Sequence, residues 1–122
     1  MIKRSKKARA RNRMIAILDA ECRARVLERD KVCVRCGATT DLQWSHVLTR
    51  RHMCIRWDDE NSKILCRACH CWWTNFPQEA SYWFSQKWPL RWEYVNEMVR
   101  RNLKVNVALV YEESRKGMAA GA

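Results

Sequence analysis

Apolar residues recur at helical spacing between residues 15 and 29, at Ile15, Leu18, Cys22, Val26 and Leu27, and predict one amphipathic helix. Asp19 and Glu21 stand early in it and Arg23, Arg25 and Arg29 late, the order that complements a helix macrodipole. The period then changes. Over residues 41–46, Leu42, Trp44 and His46 alternate with other residues, which predicts a short strand. Residues 47–60 follow neither period and read as a loop or a distorted return stretch carrying Arg50, Arg51, His52, Arg56, Trp57, Asp58 and Asp59. Ile64 and Leu65 make a second short strand, and a helix follows from about Cys66, ending before Pro77, whose ring breaks the helical ladder. Residues 78–87 predict another helix with Tyr82 and Trp83 partly buried. Pro89 suits the first turn of a third, running to about Lys104 with Leu90, Tyr94, Val95, Met98 and Val99 as its apolar set. Residues 105–111 are β-branched and apolar. A single strand cannot stand alone, so this segment either docks on the core or continues as helix, and residues 116–122 read as frayed.

No internal repeat or linker divides the chain, so residues 14–122 are expected to form one domain with a core over about 26–77, preceded by a basic flexible arm at residues 1–13. A domain of 122 residues buries only roughly two-thirds of its unfolded surface, so a further staple is expected. There is no run of about 18 apolar residues to span a bilayer. The stretch from Met14 to Leu18 is too short for a secretory core. Together these point to a soluble cytoplasmic protein with no membrane partner.

Charge narrows the partner. The net charge of +11 favours a polyanion, because each cation placed on a phosphate releases a condensed counterion. Lys3, Arg4, Lys6, Lys7, Arg9, Arg11 and Arg13 concentrate that charge in the arm, which either follows phosphates or is simply a solvated tail.

Seven cysteines without an export signal argue for metal rather than disulfides. Cys33/Cys36 and Cys66/Cys69 form two CxxC pairs, the spacing that lets paired thiolates face one another around a tetrahedral zinc ion. Gly37 is available for the left-handed backbone of the first knuckle. With four sulfur ligands that zinc is structural. Cys22, Cys54 and Cys71 read as small buried hydrophobes, Cys71 alternatively as a replacement ligand.

Around these pairs lie His46, Asn61 and His70. Together with Arg29-Asp30 before Cys33-Val34-Arg35-Cys36-Gly37, with Ser45-His46, with Asn61-Ser62-Lys63-Ile64-Leu65 and with Cys66-Arg67-Ala68-Cys69-His70, they make residues 26–77 resemble the HNH, or ββα-metal, endonucleases. The segment from Ser45 to Arg51, with Arg56-Trp57-Asp58-Asp59-Glu60-Asn61, is most similar to the lambdoid phage NinG/Rap recombination nucleases among them.

The resemblance implies an α+β fold, a small zinc-stapled ββα-metal core with flanking helices, and DNA cleavage assisted by a catalytic divalent ion, Mg²⁺ or Mn²⁺ or another. It implies His46 as general base, a role suited to an imidazole pKa of about 6.5. It also implies His70 as ligand of the catalytic ion, and Asn61 as the side chain that ties the catalytic loop. Many family members carry Asp or His before the base, where this chain has Ser45. Either Asp58, Asp59 or Glu60 supplies the missing carboxylate, or water completes the shell, or the ion binds weakly and with the phosphate, or the protein binds DNA without cutting. His52 is expected to face phosphate or solvent. Arg50, Arg51, Arg56 and Arg67 are the expected phosphate contacts on duplex, nicked or branched DNA.

Of seven tryptophans, Trp44, Trp83 and Trp92 are expected inside. Trp57, Trp72, Trp73 or Trp88 either pack or stack on unpaired bases. Two further classes compete with the nuclease: a non-catalytic zinc-containing nucleic-acid-binding module, and a homodimer paired through the helices after Pro77.

Overall fold

The computed structural model describes residues 5–120, with side chains through Gly117. Its described residues form a small α+β unit of five α-helices and one two-stranded sheet: α1 (Lys6–Asp30), β1 (Leu42–His46), β2 (Ser62–Cys66), α2 (Arg67–Asn75), α3 (Pro77–Lys87), α4 (Pro89–Arg101) and α5 (Val107–Ala120). Two short 3₁₀ turns, Met53–Ile55 and Asp59–Asn61, punctuate the loop between the strands.

α1 begins at Lys6, not near Ile15, so the flexible arm expected at residues 1–13 is helical over its described part. The reason is local. The Ser5 side chain caps the helix by accepting from Ala8 N–H, and the alanines, lysines and arginines that follow are strong helix formers. Lys3 and Arg4 lie outside the described residues. Inside, α1 lays Leu18, Cys22 and Val26 toward the sheet, where Cys22 and Val26 pack with Ile64. It stops at Lys31, which takes φ 67° and returns its N–H to Leu27 O.

The strands pair antiparallel, with Trp44 opposite Ile64, Ser45 opposite Lys63 and His46 opposite Ser62. All five residues of β2 are buried, Lys63 included. Ile64 N–H donates to Asp30 at the end of α1, Ile64 O accepts from Val34 N–H, and Ser62 O accepts from both Arg29 and Arg91.

Pro77 and Pro89 each occupy the first turn of a helix, so α2, α3 and α4 follow one another with a single residue between each pair. They close a second core around Phe84, against which Trp73, Trp83, Trp88 and Trp92 pack, with Ile55 and Val95 in the same cluster. All seven tryptophans are half-buried. Those considered for base stacking are packed too: Trp57 donates to Asp19 and Trp72 stands edge-on to Trp83.

Some expected core positions lie outside. Tyr82, Leu90 and Tyr94 are exposed, at 68%, 81% and 40%. α4 is apolar on more than one side, and its inner face is taken by Trp92, Val95, Met98 and Val99 together with Arg91, which reaches the Glu60 and Ser62 carbonyls. α4 ends at Asn102 with φ 46°, short of Lys104. Residues 105–111, left open between strand and helix, lead into α5, which lies along α1 through the Arg115–Glu21 ion pair. Helix continues through Ala120, where fraying was expected.

Candidate functional site

Two constellations meet at the first turn of α2. The first is built from the CxxC pairs. Gly37 (φ 80°) turns the chain between Cys33 and Ala38, whose backbones bond each other, and the Cys66 sulfur caps α2 by accepting from Cys69 N–H. The sulfurs of Cys33, Cys36, Cys66 and Cys69 all lie within 4.8 Å of one another, three of the residues buried and Cys36 exposed. Burial works against the Cys33 thiolate, yet backbone N–H groups of Cys66, Cys36 and Arg35 outweigh it and bring the thiol down to about 6. Burial pushes Cys69 up to about 12, and the neighbouring thiols add to that. A cluster that accepts one negative charge readily and resists the next fits a soft dication, so these four cysteines could hold a structural metal such as zinc. Among the described residues this is the one grouping of three or more His, Cys, Asp or Glu side chains that could do so. Cys71 is outside it. Cys22 is buried as expected, whereas Cys54 is half-buried and Cys71 exposed, because Cys71 lies on the solvent side of α2.

The second constellation is a cleft of about 380 Å³ between β1 and α2, lined by Trp44, Ser45, His46, Val47, Thr49, Arg50, His70 and Trp73. It brings together His46, from the end of β1, and His70, from the first turn of α2. His46 Nε2 lies 3.1 Å from Arg56 O. A carbonyl only accepts, so Nε2 carries the proton and Nδ1 keeps its lone pair. Burial pushes the ring down to about 4, with smaller opposing effects from the Arg56 carbonyl and Asp19 and reinforcing ones from the Arg56 and Lys63 charges. His46 is therefore neutral at ordinary pH.

Asn61 is fully buried and does not line the cleft. Its side chain closes a two-point clamp on the loop after β1, Oδ1 accepting from Leu48 N–H (2.9 Å) and Nδ2 donating to Leu48 O (3.0 Å). His70 Nδ1 bonds Gln43 Oε1 on β1, and burial, then the Lys63 charge, lowers its pKa.

Lys63 is the residue that the motifs did not single out. It is fully buried as the second residue of β2, and its Nζ donates to Ser45 Oγ (2.9 Å) and His46 O (3.0 Å) while sitting 3.3 Å over the Trp73 ring. Burial first, then the Arg91 charge, pushes its ammonium well below the ordinary lysine value, and Asp30 opposes them. A lysine directly before Ile64 and Leu65 in the strand is the available signal, but its partner Ser45 is fixed only by the strand register.

The catalytic divalent ion expected beside His70 does not fit these residues. Among the described residues lining the cleft none is acidic. The three carboxylates that stood in for Ser45 are engaged elsewhere: Asp58 by Tyr94, Asp59 by Arg25 and Glu60 by Arg91. Two imidazoles and neutral hydroxyl groups, one of them bonded to Lys63, with no carboxylate beside them, are a poor donor set for a hard dication.

Of the expected phosphate contacts, Arg50 lines the cleft, and Arg51 and Arg67 are exposed without lining it. Arg56 is not available. Its guanidinium makes a forked ion pair with Asp19 of α1 at 2.9 and 2.7 Å and is mostly covered, so it joins helix to loop. His52 precedes the first 3₁₀ turn, half-buried and outside both constellations. No helix of the described residues is long and apolar enough to cross a membrane. No family model, curated protein or solved structure matches this chain.

Proposed function

We propose that the chain is a DNA endonuclease of the HNH kind, hydrolysing phosphodiester bonds in the cleft between β1 and α2, with the four-cysteine corner holding a structural zinc. The observation that carries the reading is the state of His46. Its Nε2–H is tied to the Arg56 carbonyl, so Nδ1 is a fixed, unprotonated base at the wall of a basic cleft. In the reaction a water oxygen bonds to phosphorus as the bond from phosphorus to the leaving sugar oxygen breaks. His46 Nδ1 takes the water's proton and the leaving oxygen takes one from solvent. Asn61 holds the loop that continues from His46, which keeps the base aimed. Arg50, Arg51 and Arg67 are the side chains for flanking phosphates. The zinc corner fixes the start of α2, and with it His70.

The second reading is a zinc-containing module that holds nucleic acid without cutting it. Ser45 and the absence of acidic side chains among the described residues lining the cleft favour it. The deciding experiment is cleavage of supercoiled plasmid and of a four-way junction by wild type and His46→Ala, in Mg²⁺, Mn²⁺ or EDTA, at matched zinc content. The expected outcome is cutting that falls about 10²- to 10⁴-fold in His46→Ala with DNA affinity retained. DNA binding with no cutting under any condition selects the binding module.

A further inference from the structure

Lys63 is the most deeply buried charged side chain of the described residues, and the hydrolytic scheme above leaves it without a task. Its surroundings assign one. An ammonium offers three N–H groups and no lone pair. Here it meets three acceptors: the Ser45 hydroxyl oxygen, the His46 carbonyl and the face of Trp73. Because Lys63 Nζ donates to it, Ser45 Oγ keeps its own proton for another partner. No acceptor for that proton is found among the described residues, although Ser45 is 1% exposed and lines the cleft. A buried donor without an acceptor is costly unless a ligand supplies one. The other groups at the wall have the same preference. Thr49 can donate, Arg50 is cationic, and the Lys63 charge is felt at both His46 and His70. A phosphate oxygen satisfies this set, whereas a divalent cation meets Lys63 behind the Ser45 hydroxyl and no carboxylate among the described residues lining the cleft.

Resting on the nuclease reading, we propose that the cleft is a phosphate site that works without a divalent ion, Lys63 acting as a positioning residue that presents the Ser45 O–H to the bound phosphate. The Lys63 N–H, relayed through one hydroxyl, stands where a mobile metal would otherwise stabilise the developing negative charge.

The test uses the full zinc-loaded chain with two probes. Manganese(II) alone is titrated and the free-ion paramagnetic signal read, and inorganic phosphate alone is titrated and the ring-proton shifts of His70 and Trp73 read. The expected result is no stoichiometric manganese binding and saturable phosphate binding, weakened about tenfold in Lys63→Met by loss of one charged relay. Ser45→Ala, a smaller perturbation, gives a similar loss and serves if Lys63→Met does not fold. The double variant Ser45→Asp/Lys63→Met, which exchanges the ammonium for a carboxylate, gains one-to-one manganese binding, a response that a merely structural lysine would not produce. Plasmid cutting proceeds equally in EDTA and Mg²⁺ while zinc is retained.

One-to-one manganese binding by wild type that His70→Ala removes overturns the proposal whether or not DNA is cut. Failure of phosphate to bind, or cutting that requires Mg²⁺, overturns it as well. Phosphate binding with the expected variant losses but no cutting under any condition upholds the anion site and refutes the nuclease reading.

Discussion

The cysteine corner and the histidine cleft share one turn of helix, since Cys69 serves the first and His70 the second, yet they suit opposite charges. At the corner four sulfurs converge within 4.8 Å, one thiol already lowered to about 6 and another raised to about 12, a set that a dication relaxes. At the cleft an ammonium, a guanidinium and hydroxyl donors converge, a set that an anion relaxes. Adjacent residues of one helix can therefore belong to sites of opposite preference. The preference is set by what the facing strand contributes: Cys66 at the end of β2, Lys63 near its start.

The comparison breaks most severely if the corner is made unable to hold a metal. Cys33→Ser or Cys66→Ser should abolish zinc binding and the cooperative thermal transition, because binding at such sites is worth on the order of 10 kcal/mol, comparable to the whole stability of a domain. Zinc content and near-ultraviolet dichroism measure this, and a zinc-free variant melting like wild type would mean that packing alone holds the corner.

Acid should act on the cleft next. His46 titrates at about 4 in the folded chain and near 6.5 when unfolded. The unfolded chain therefore takes up a proton that the folded one refuses, and stability falls as pH drops from about 6.5 toward 4, by up to about 3 kcal/mol. The Cys33 thiolate also protonates in acid, so the informative quantity is the difference between wild type and His46→Gln in urea midpoints across this window. Equal slopes would show that His46 is not held neutral by burial.

Asn61→Ala removes both clamp bonds and strands two half-buried Leu48 backbone groups, for an expected loss of about 1–3 kcal/mol at unchanged denaturant slope, with weaker cutting besides. The smallest effects concern the arginines. Arg50→Ala and Arg51→Ala should each reduce the salt dependence of DNA binding by about one counterion, and Arg56→Ala should not, since Asp19 already holds that side chain. A loss of slope in Arg56→Ala would mean that the Asp19 pair opens on DNA.

Periodicity and spacing made much of this legible. The strands around His46 and Ile64, the helices opened by Pro77 and Pro89, and the paired knuckles follow from local chemistry, and the structure has them close to the expected positions. What escaped depends on distance along the chain or on competing faces. The pairing of Arg56 with Asp19 spans 37 residues and leaves no local trace. Leu90 and Tyr94 share α4 with enough other apolar residues that its inward face was ambiguous, and Arg91, a charged residue, belongs to it. The basic run at residues 6–13 was read by charge, where capping by Ser5 and helix propensity decide the conformation. Lys63 escaped because a lysine at the start of a short strand reads as solvent-facing, and only the register against Ser45 reveals the cavity it serves.

The seating of β2 bears on how copies of this chain can meet. A strand at the margin of a sheet is a template for another chain, and its unpaired amides invite fibrils and domain swaps. Here that margin is capped: Asp30 and Val34 take the Ile64 amide and carbonyl, and Arg29 and Arg91 converge on the Ser62 carbonyl. Growth by strand addition is closed along this side, so any self-association there has to use side chains, and Asp30→Ala is the change that would reopen the edge to aggregation.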